Sequence, residues 1–376
     1  MISKRKEKKL LVAIHKDINR KFDSILHINI QNFSINGIAI YNNKKCFFKI
    51  VDEEYFIKEI NGYLISYKKI PTMEIIFTKR LFNCKKYLIA YTFDNNIKKS
   101  SGLLNDILVK NDLKKNFSQV DKKKINGILS MYNDIYSASK EYYSYCPSNI
   151  FFIDRIYTRL QKWYIKSNKI KKTIINYNNE RFTLNEILNE IFIYFEDNIK
   201  TKRQCVLTQG DPNTLNISSK PCLFDLATAG YNPIIGELAI TIISTLIYDN
   251  YFCPKYHPKS YFLHEKALEQ YKYFEPRLKF EKNKNVIHIQ SNIVTSDVRK
   301  KYILYYLEML ENNNILINEE IKYYILMRVL CVFDIRKMDI HDYYYSLFLV
   351  CYFYKNIDKD FYTSMRKIIN EMECVK

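Results

Sequence analysis

A chain of 376 residues is long for one compact core and comfortable for two lobes; 47% hydrophobic and 26% charged residues mark it as globular and soluble. Its longest apolar runs, 234–248 and 347–354, are too short or carry an acid such as Glu237, which excludes a membrane span of roughly 20 residues. The formal charge of +19 comes from lysines in every segment, without a nucleic-acid motif, so it predicts a solvated surface mildly attractive to phosphate and no dedicated nucleic-acid partner.

The basic start of the chain is followed at 10–14 by an apolar stretch too brief for a signal-peptide core, which predicts a cytoplasmic protein. Nine cysteines are scattered singly, with no Cys-x-x-Cys pair, and argue against a disulfide framework and a zinc site. Residues 28–51 alternate and turn: Ile28-Asn-Ile-Gln31, then Gly37-Ile-Ala-Ile-Tyr41, Asn42-Asn43 and Cys46-Phe-Phe-Lys-Ile-Val51. Two β-rich runs around an Asn-Asn turn predict a hairpin, with Lys49 inside the second run. The preceding loop, 32–38, holds a single glycine and no Gly-x-Gly-x-x-Gly. Residues 52–67 predict a helix: Tyr55, Phe56, Ile60, Tyr63, Leu64 and Tyr67 recur at three and four, Glu59 sits at the centre, and Pro71 follows. A strand is expected at 87–93, and the polar stretch 94–102 is the candidate linker. Helices are then expected around 125–132, 150–163 and 184–195.

The stretch Val206-Leu-Thr-Gln-Gly-Asp-Pro-Asn-Thr-Leu-Asn216, followed by Cys222-Leu-Phe-Asp-Leu-Ala227, carries the chemistry. Asp211, Asn216 and Asp225 each follow a short apolar run, and a polar turn separates the last two. Phosphoryl transfer from a metal nucleotide needs this set: a base for the acceptor hydroxyl and oxygen ligands for Mg²⁺. Asp211 to Asn216 has the Asp-x-x-x-x-Asn spacing of a kinase catalytic loop, and Asp225 stands where a metal-binding Asp follows. Further helices are expected at 237–248 and near 261–275, 297–311, 319–333 and 341–354, their Tyr and Phe stripes forming core.

These residues resemble the aminoglycoside phosphotransferase and choline kinase superfamily, whose loop reads His-Gly-Asp-x-x-x-x-Asn; here Gln209 replaces the His. Ala229-Gly-Tyr-Asn-Pro-Ile-Ile-Gly-Glu-Leu-Ala239 is similar to the segment leading those kinases into their next helix, and Tyr132 stands at the end of a helix that usually closes on His. The resemblance implies an α+β, two-lobed protein-kinase-like fold: a small β-rich lobe, 1–95, and a larger, mainly helical lobe, 96–376. It further implies that Lys49 holds the nucleotide phosphates, oriented by Glu59, with Glu53 and Glu54 as rivals. Backbone groups of Tyr91 and Phe93 would hold the base, Asn216 and Asp225 would bind Mg²⁺, and Asp211 would accept the proton. The implied donor is ATP or GTP and the acceptor a small-molecule hydroxyl. For a polycationic, aminoglycoside-like acceptor, the nearby acids are Asp249, Glu265, Glu269, Asp334 and Asp339; for choline, the tyrosines. A kinase-fold binding protein without turnover and a kinase acting on a macromolecule are the alternatives.

Overall fold

Two asparagines turn the first hairpin. In a computed structural model describing residues 12, 14, 16–18, 21–30, 35–93, 102–138, 141–143, 150–198 and 201–375, Asn42 and Asn43 take φ of 48° and 58°. Those left-handed angles match the twist of the flanking strands β2 (Ile35–Tyr41) and β3 (Lys44–Val51). β1 (Ser24–Ile30) lies outside β2. On the other side of β3 come β5 (Lys86–Thr92) and then β4 (Ile75–Leu81), an edge strand absent from the sequence reading. Every pairing in this five-stranded sheet is antiparallel.

Period-two alternation decides where Lys49 points. Cys46, Phe48 and Ile50 go to one face, with Leu88 and Ala90, beneath Ile14, Ile18 and Phe22. Phe47 and Val51 go to the other face and meet Tyr55, Phe56 and Ile60 of the helix α1 (Glu53–Ser66). Lys49 shares that second face. α1 begins where Asp52 accepts a hydrogen bond from Tyr55 N at 3.1 Å, with Glu53 and Glu54 at the positive end of the helix dipole. Gly62 lets it approach the second lobe closely: a Cβ there would lie 1.8 Å from the Leu226 carbonyl oxygen.

The β-rich part ends at Thr92, and the next described helix, α2 (Leu104–Asn111), opens the helical part. The expected linker, apart from Gly102, and the lobe boundary at 95 lie outside the described residues. α3 (Gln119–Ala138) runs past Tyr132, which is a buried mid-helix residue and not a helix end. After β6 (Glu141–Tyr143), α4 (Ile150–Arg155) continues as a π-helix over Ile156–Ile165. β7 (Ile174–Tyr177) and β8 (Glu180–Thr183) form a second Asn-Asn hairpin, Asn178 and Asn179 having φ of 50° and 61°. α5 (Leu184–Asn198), β9 (Arg203–Thr208), β10 (Gly230–Pro233) and α6 (Ile234–Ile243) follow, α6 extending as a buried π-helix to Phe252.

The helix expected at 261–275 is instead a short helix, Glu265–Gln270, between 3₁₀ turns. β11 (Lys279–Asn283) and β12 (Val286–Gln290) were not expected; β12 pairs parallel with β7 across more than a hundred residues. α7 (Asp297–Asn312), α8 (Ile321–Cys331) and α9 (Ile340–Asn356) match the expected helices, and α10 (Phe361–Glu371) closes the lobe. The tyrosine stripes are core, and two of their buried hydroxyls reach carbonyls: Tyr248 donates to Val329 O and Tyr164 to Leu330 O, each at 2.6 Å. Among the described residues no helix is long and apolar enough to cross a membrane.

Candidate active site

The loop carrying Asp211, Asn216 and Asp225 leaves β9 and returns through β10, with Thr208 opposite Gly230. Gly210 at the corner has φ of 86°, and a Cβ there would stand 2.0 Å from Thr228 O, so glycine is required. Gln209 then does the bracing expected of a His: its Nε2 donates to Phe224 O at 2.7 Å and Asp225 O at 3.0 Å, and its Oε1 accepts from Asp211 N at 3.2 Å. The 217–223 turn is a tight hairpin, Ile217 bridging Leu223 and Ser218 N donating to Cys222 O at 2.9 Å. Phe224 N donates to Asn216 O at 2.9 Å, which sets Asn216 beside the segment leading to Asp225. Asn216 Nδ2 donates to Asp211 O at 3.0 Å, leaving its amide oxygen for the cleft.

Two buried acids hold this loop from below. Asp249 accepts from Thr214 N at 2.8 Å and Thr214 Oγ1 at 2.7 Å. Glu237 accepts from Thr208 Oγ1 at 2.8 Å. Burial pushes the Glu237 carboxyl up to about 8, partly countered by that hydroxyl.

From the sheet side, Lys49 Nζ lies 3.4 Å from Glu59 Oε1 and 3.3 Å from Asp225 Oδ1. Glu59, 1% exposed, also accepts from Tyr91 Oη at 2.6 Å. The rivals are engaged elsewhere: Glu53 with the Tyr87 hydroxyl and Glu54 with Lys58. Tyr55, one turn before Glu59, donates its hydroxyl to Asp225 Oδ1. Burial disfavours charge on each member of this cluster, with different results. For Asp225 it is outweighed by Lys49 and the Tyr55 hydrogen bond, so the carboxyl sits below its ordinary range. Burial wins at Glu59 despite Lys49, and its carboxyl is raised. At Lys49 the two acids prevail over burial and hold the ammonium charged.

This is a two-lobed α+β fold, a five-stranded antiparallel sheet set against a mainly helical part. Lys49, Glu59, Tyr91, Phe93, Asp211, Asn216 and Asp225 all line one cavity of about 370 Å³ between the lobes. Its apolar part is formed by Phe47, Met73, Leu103, Leu215 and Leu223. Tyr91 sits in the sheet ladder between Phe47 and Ile75, and Thr92 N donates to Glu74 O; Phe93 lies just beyond the strand. The cavity mouth is fastened across the lobes where Asn29 Nδ2 donates to Lys259 O at 3.2 Å and His27 stacks on Phe262.

No family model and no curated protein matches the sequence. Among solved structures the chain is similar to aminoglycoside phosphotransferase APH(4)-Ia, at 9% identity over 96% of this chain and 99% of that one, with a TM-score of 0.49. It is also similar to amicoumacin kinase hAmiN, solved with AMP-PNP, Ca²⁺ and Ami (10% identity, 99% and 98% covered, TM-score 0.48). A third similar structure is a microcompartment-associated aminopropanol kinase (7% identity, 97% and 99% covered, TM-score 0.45).

The structure adds residues that the sequence reading passed over. Arg328 on α8 has a side chain only 5% exposed, with Nη1 3.2 Å from Asp211 Oδ1 and Nη2 2.9 Å from Ser244 Oγ. A guanidinium inside the apolar run Tyr323-Tyr-Ile-Leu-Met-Arg-Val-Leu-Cys331 was the available signal, since arginine is rarely buried unless paired. Tyr55 had only its spacing of four from Glu59. The acids offered for a polycation are otherwise disposed. Asp249 serves Thr214, Asp334 pairs with Arg336 at 2.8 Å, Asp339 lies 2.8 Å from Lys255, and Glu265 and Glu269 are exposed outside the cavity lining. Asp339, His341 and Asp342 are close enough to hold a cation, but Lys255 already neutralises both carboxylates, at 2.8 and 2.7 Å.

Proposed function

We propose that the chain is a Mg²⁺-dependent small-molecule kinase of the aminoglycoside phosphotransferase and choline kinase superfamily. It would move the γ-phosphoryl group of ATP or GTP to an acceptor hydroxyl. The observation that carries the reading is the convergence of Lys49, Asp211, Asn216 and Asp225, from separate segments, on one interlobe cavity.

Asp211 orients the acceptor hydroxyl and takes its proton, its carboxylate aimed by Arg328 at 3.2 Å. Lys49, held between Glu59 and Asp225, neutralises the nucleotide phosphates. Asn216 and Asp225 offer an amide oxygen and an ionised carboxylate side by side, a donor set suited to a hard divalent cation. Mg²⁺ bound there supplies charge neutralisation for the transferred phosphoryl group. Because phosphoryl transfer has a loose transition state, positioning and neutralisation provide most of the rate. The base would stack against the apolar part of the cavity, with the Phe93 backbone, and less of Tyr91's, left to hydrogen-bond its edge.

The test is a screen of hydroxylated small molecules for acceptor-stimulated hydrolysis of Mg-ATP and Mg-GTP, with calorimetric titration of each nucleotide. Binding of Mg-nucleotide that is lost in Lys49→Ala, together with at least one phosphorylated acceptor, is the expected result. Absence of Mg-nucleotide binding overturns it.

A further inference from the structure

Behind one wall of the interlobe cavity, an acid holds a histidine in place. His264 Nδ1 donates to Asp106 Oδ1 at 2.5 Å, and both side chains are only 10% exposed. A carboxylate can only accept, so the proton lies on Nδ1 and the ring's orientation is set. Asp106 is anchored in turn on the first turn of α2, where its Oδ2 accepts from Leu103 N at 3.0 Å. His264 lines the cavity, and its second ring nitrogen, Nε2, has no hydrogen-bond partner among the described residues.

What pins the ring also places it in the cavity. Leu103, whose N–H Asp106 takes, and Leu215 both line the apolar part proposed for the base. Tyr261, three residues before His264, is buried with Val109 of α2, and Leu215 packs against that cluster. The His264 ring therefore stands at the rim of the base's seat, on the side of the helical lobe. The seat proposed for the phosphates, at Lys49, Asn216 and Asp225, is built from other segments, and Asp211 is held by Arg328 of α8 and not by α2. Ribose joins base to phosphates, so its hydroxyls are the polar groups that a donor nucleotide brings between the two seats. Asn213 and Asn29, which also line the cavity, are engaged: Asn213 Oδ1 accepts from Leu215 N at 3.1 Å, and Asn29 reaches Lys259 O. Of the two polar residues that the 257–264 segment adds to the lining, Ser260 and His264, the histidine is the one whose orientation a partner fixes. An imidazole nitrogen can hydrogen-bond a hydroxyl in either protonation state, because a hydroxyl both gives and takes. Held in advance by Asp106, the ring loses little freedom when it does so.

We infer, resting on the kinase reading above, that His264 determines the sugar specificity of the donor: positioned by Asp106, its Nε2 hydrogen-bonds a ribose hydroxyl, so that ribonucleotides bind in preference to deoxyribonucleotides. The same pair also staples the 257–264 segment to α2, and only the hydroxyl contact makes affinity depend on the sugar.

The full chain is titrated calorimetrically in excess Mg²⁺ with ADP and GDP, and with the 2′-deoxy and 3′-deoxy forms of each. Wild type should bind at least one deoxy form roughly threefold to tenfold more weakly than its ribo parent, as expected for one lost hydrogen bond. In His264→Phe that ratio should fall to about one. In His264→Gln, whose amide can still meet a hydroxyl, it should recover in part. Because the ratio is taken within one variant, a general loosening of the 257–264 segment cancels from it. Melting temperatures are measured first; should His264→Phe fail to fold, the His264→Gln ratio carries the test, and a value equal to that of wild type then overturns the inference. It is also overturned if wild type is indifferent to both hydroxyls, or if His264→Phe weakens ribo and deoxy forms equally, which would leave the pair a structural staple only. Failure of both ADP and GDP to bind wild type is a separate result, which overturns the kinase reading itself and the inference with it.

Discussion

The two sides of the cleft are built on different plans. On the side proposed for the nucleotide, both lobes contribute: Lys49 comes from the sheet, Glu59 and Tyr55 from α1, Asp225 from the loop of the helical lobe, and opposite charges alternate within 3.3–3.4 Å. On the side proposed for the acceptor, the helical lobe supplies everything named, and Arg328 from α8 lies 3.2 Å from Asp211. A mixed cluster spanning two lobes ties lobe closure to charge pairing, so it suits a ligand that brings phosphates and a cation together. A pair held within a single lobe is preformed, so it can orient a ligand without waiting for the lobes to close.

Substitutions on each side test this division. Asp225→Ala strikes the shared cluster hardest: it removes a proposed metal ligand and leaves Lys49 with Glu59 alone. Mg-nucleotide affinity should fall at least as far as the roughly 10–100-fold that loss of an outer-shell metal partner costs, and turnover with it. Unchanged Mg-nucleotide binding by calorimetry would break the assignment.

Asp211→Asn acts on the other side. Its amide keeps the size but cannot take a proton, so turnover should drop on the order of 10²-fold or more while nucleotide affinity stays near wild type. Near-normal turnover would remove Asp211 from the mechanism.

Gly62→Ala probes the joint between the lobes. Its Cβ would collide with Leu226 O, 1.8 Å away, so α1 must back off. A stability loss of about 1–3 kcal/mol is expected from overpacking, read as a lowered denaturation midpoint. Nucleotide affinity should fall too, because Glu59 and Asp225 are drawn apart; an acceptor affinity that fell equally would contradict the division.

The smallest effect is a pH dependence beneath the loop. Glu237 titrates near 8 when buried, against 4.5 as its ordinary value. The folded chain therefore keeps a proton that the unfolded chain releases, and stability from this group declines between about pH 4.5 and 8, levelling above that. Glu237→Gln should flatten that part of the profile in denaturant titrations from pH 5 to 9. A variant whose slope equals that of wild type would show that Glu237 is ionised in the fold.

Legibility from sequence differed between these regions for physical reasons. The Asn-Asn turn, α1 with its Asp52 cap, and the 206–225 loop are specified by residues within a few positions of one another, and the structure has them where the patterns put them. The second hairpin carried the same Asn-Asn signal, yet its strands were too short, at four residues each, to stand out among helical patterns. The π-helical stretches were read as α because apolar spacing scarcely distinguishes them.

By itself, then, the sequence determined the local geometry: which face of β3 carries Lys49, where α1 starts, and that Asp211, Asn216 and Asp225 share one hairpin. Tertiary structure alone decided the partners. Arg328 reaches Asp211 across 117 positions and Tyr55 reaches Asp225 across 170. Packing also turned Asp249, Asp334 and Asp339 away from the acceptor role their composition offered. Hydrophobic periodicity and turn chemistry act over a few residues and leave a trace in the string, whereas a charge finds its partner only after the core has fixed both backbones in space.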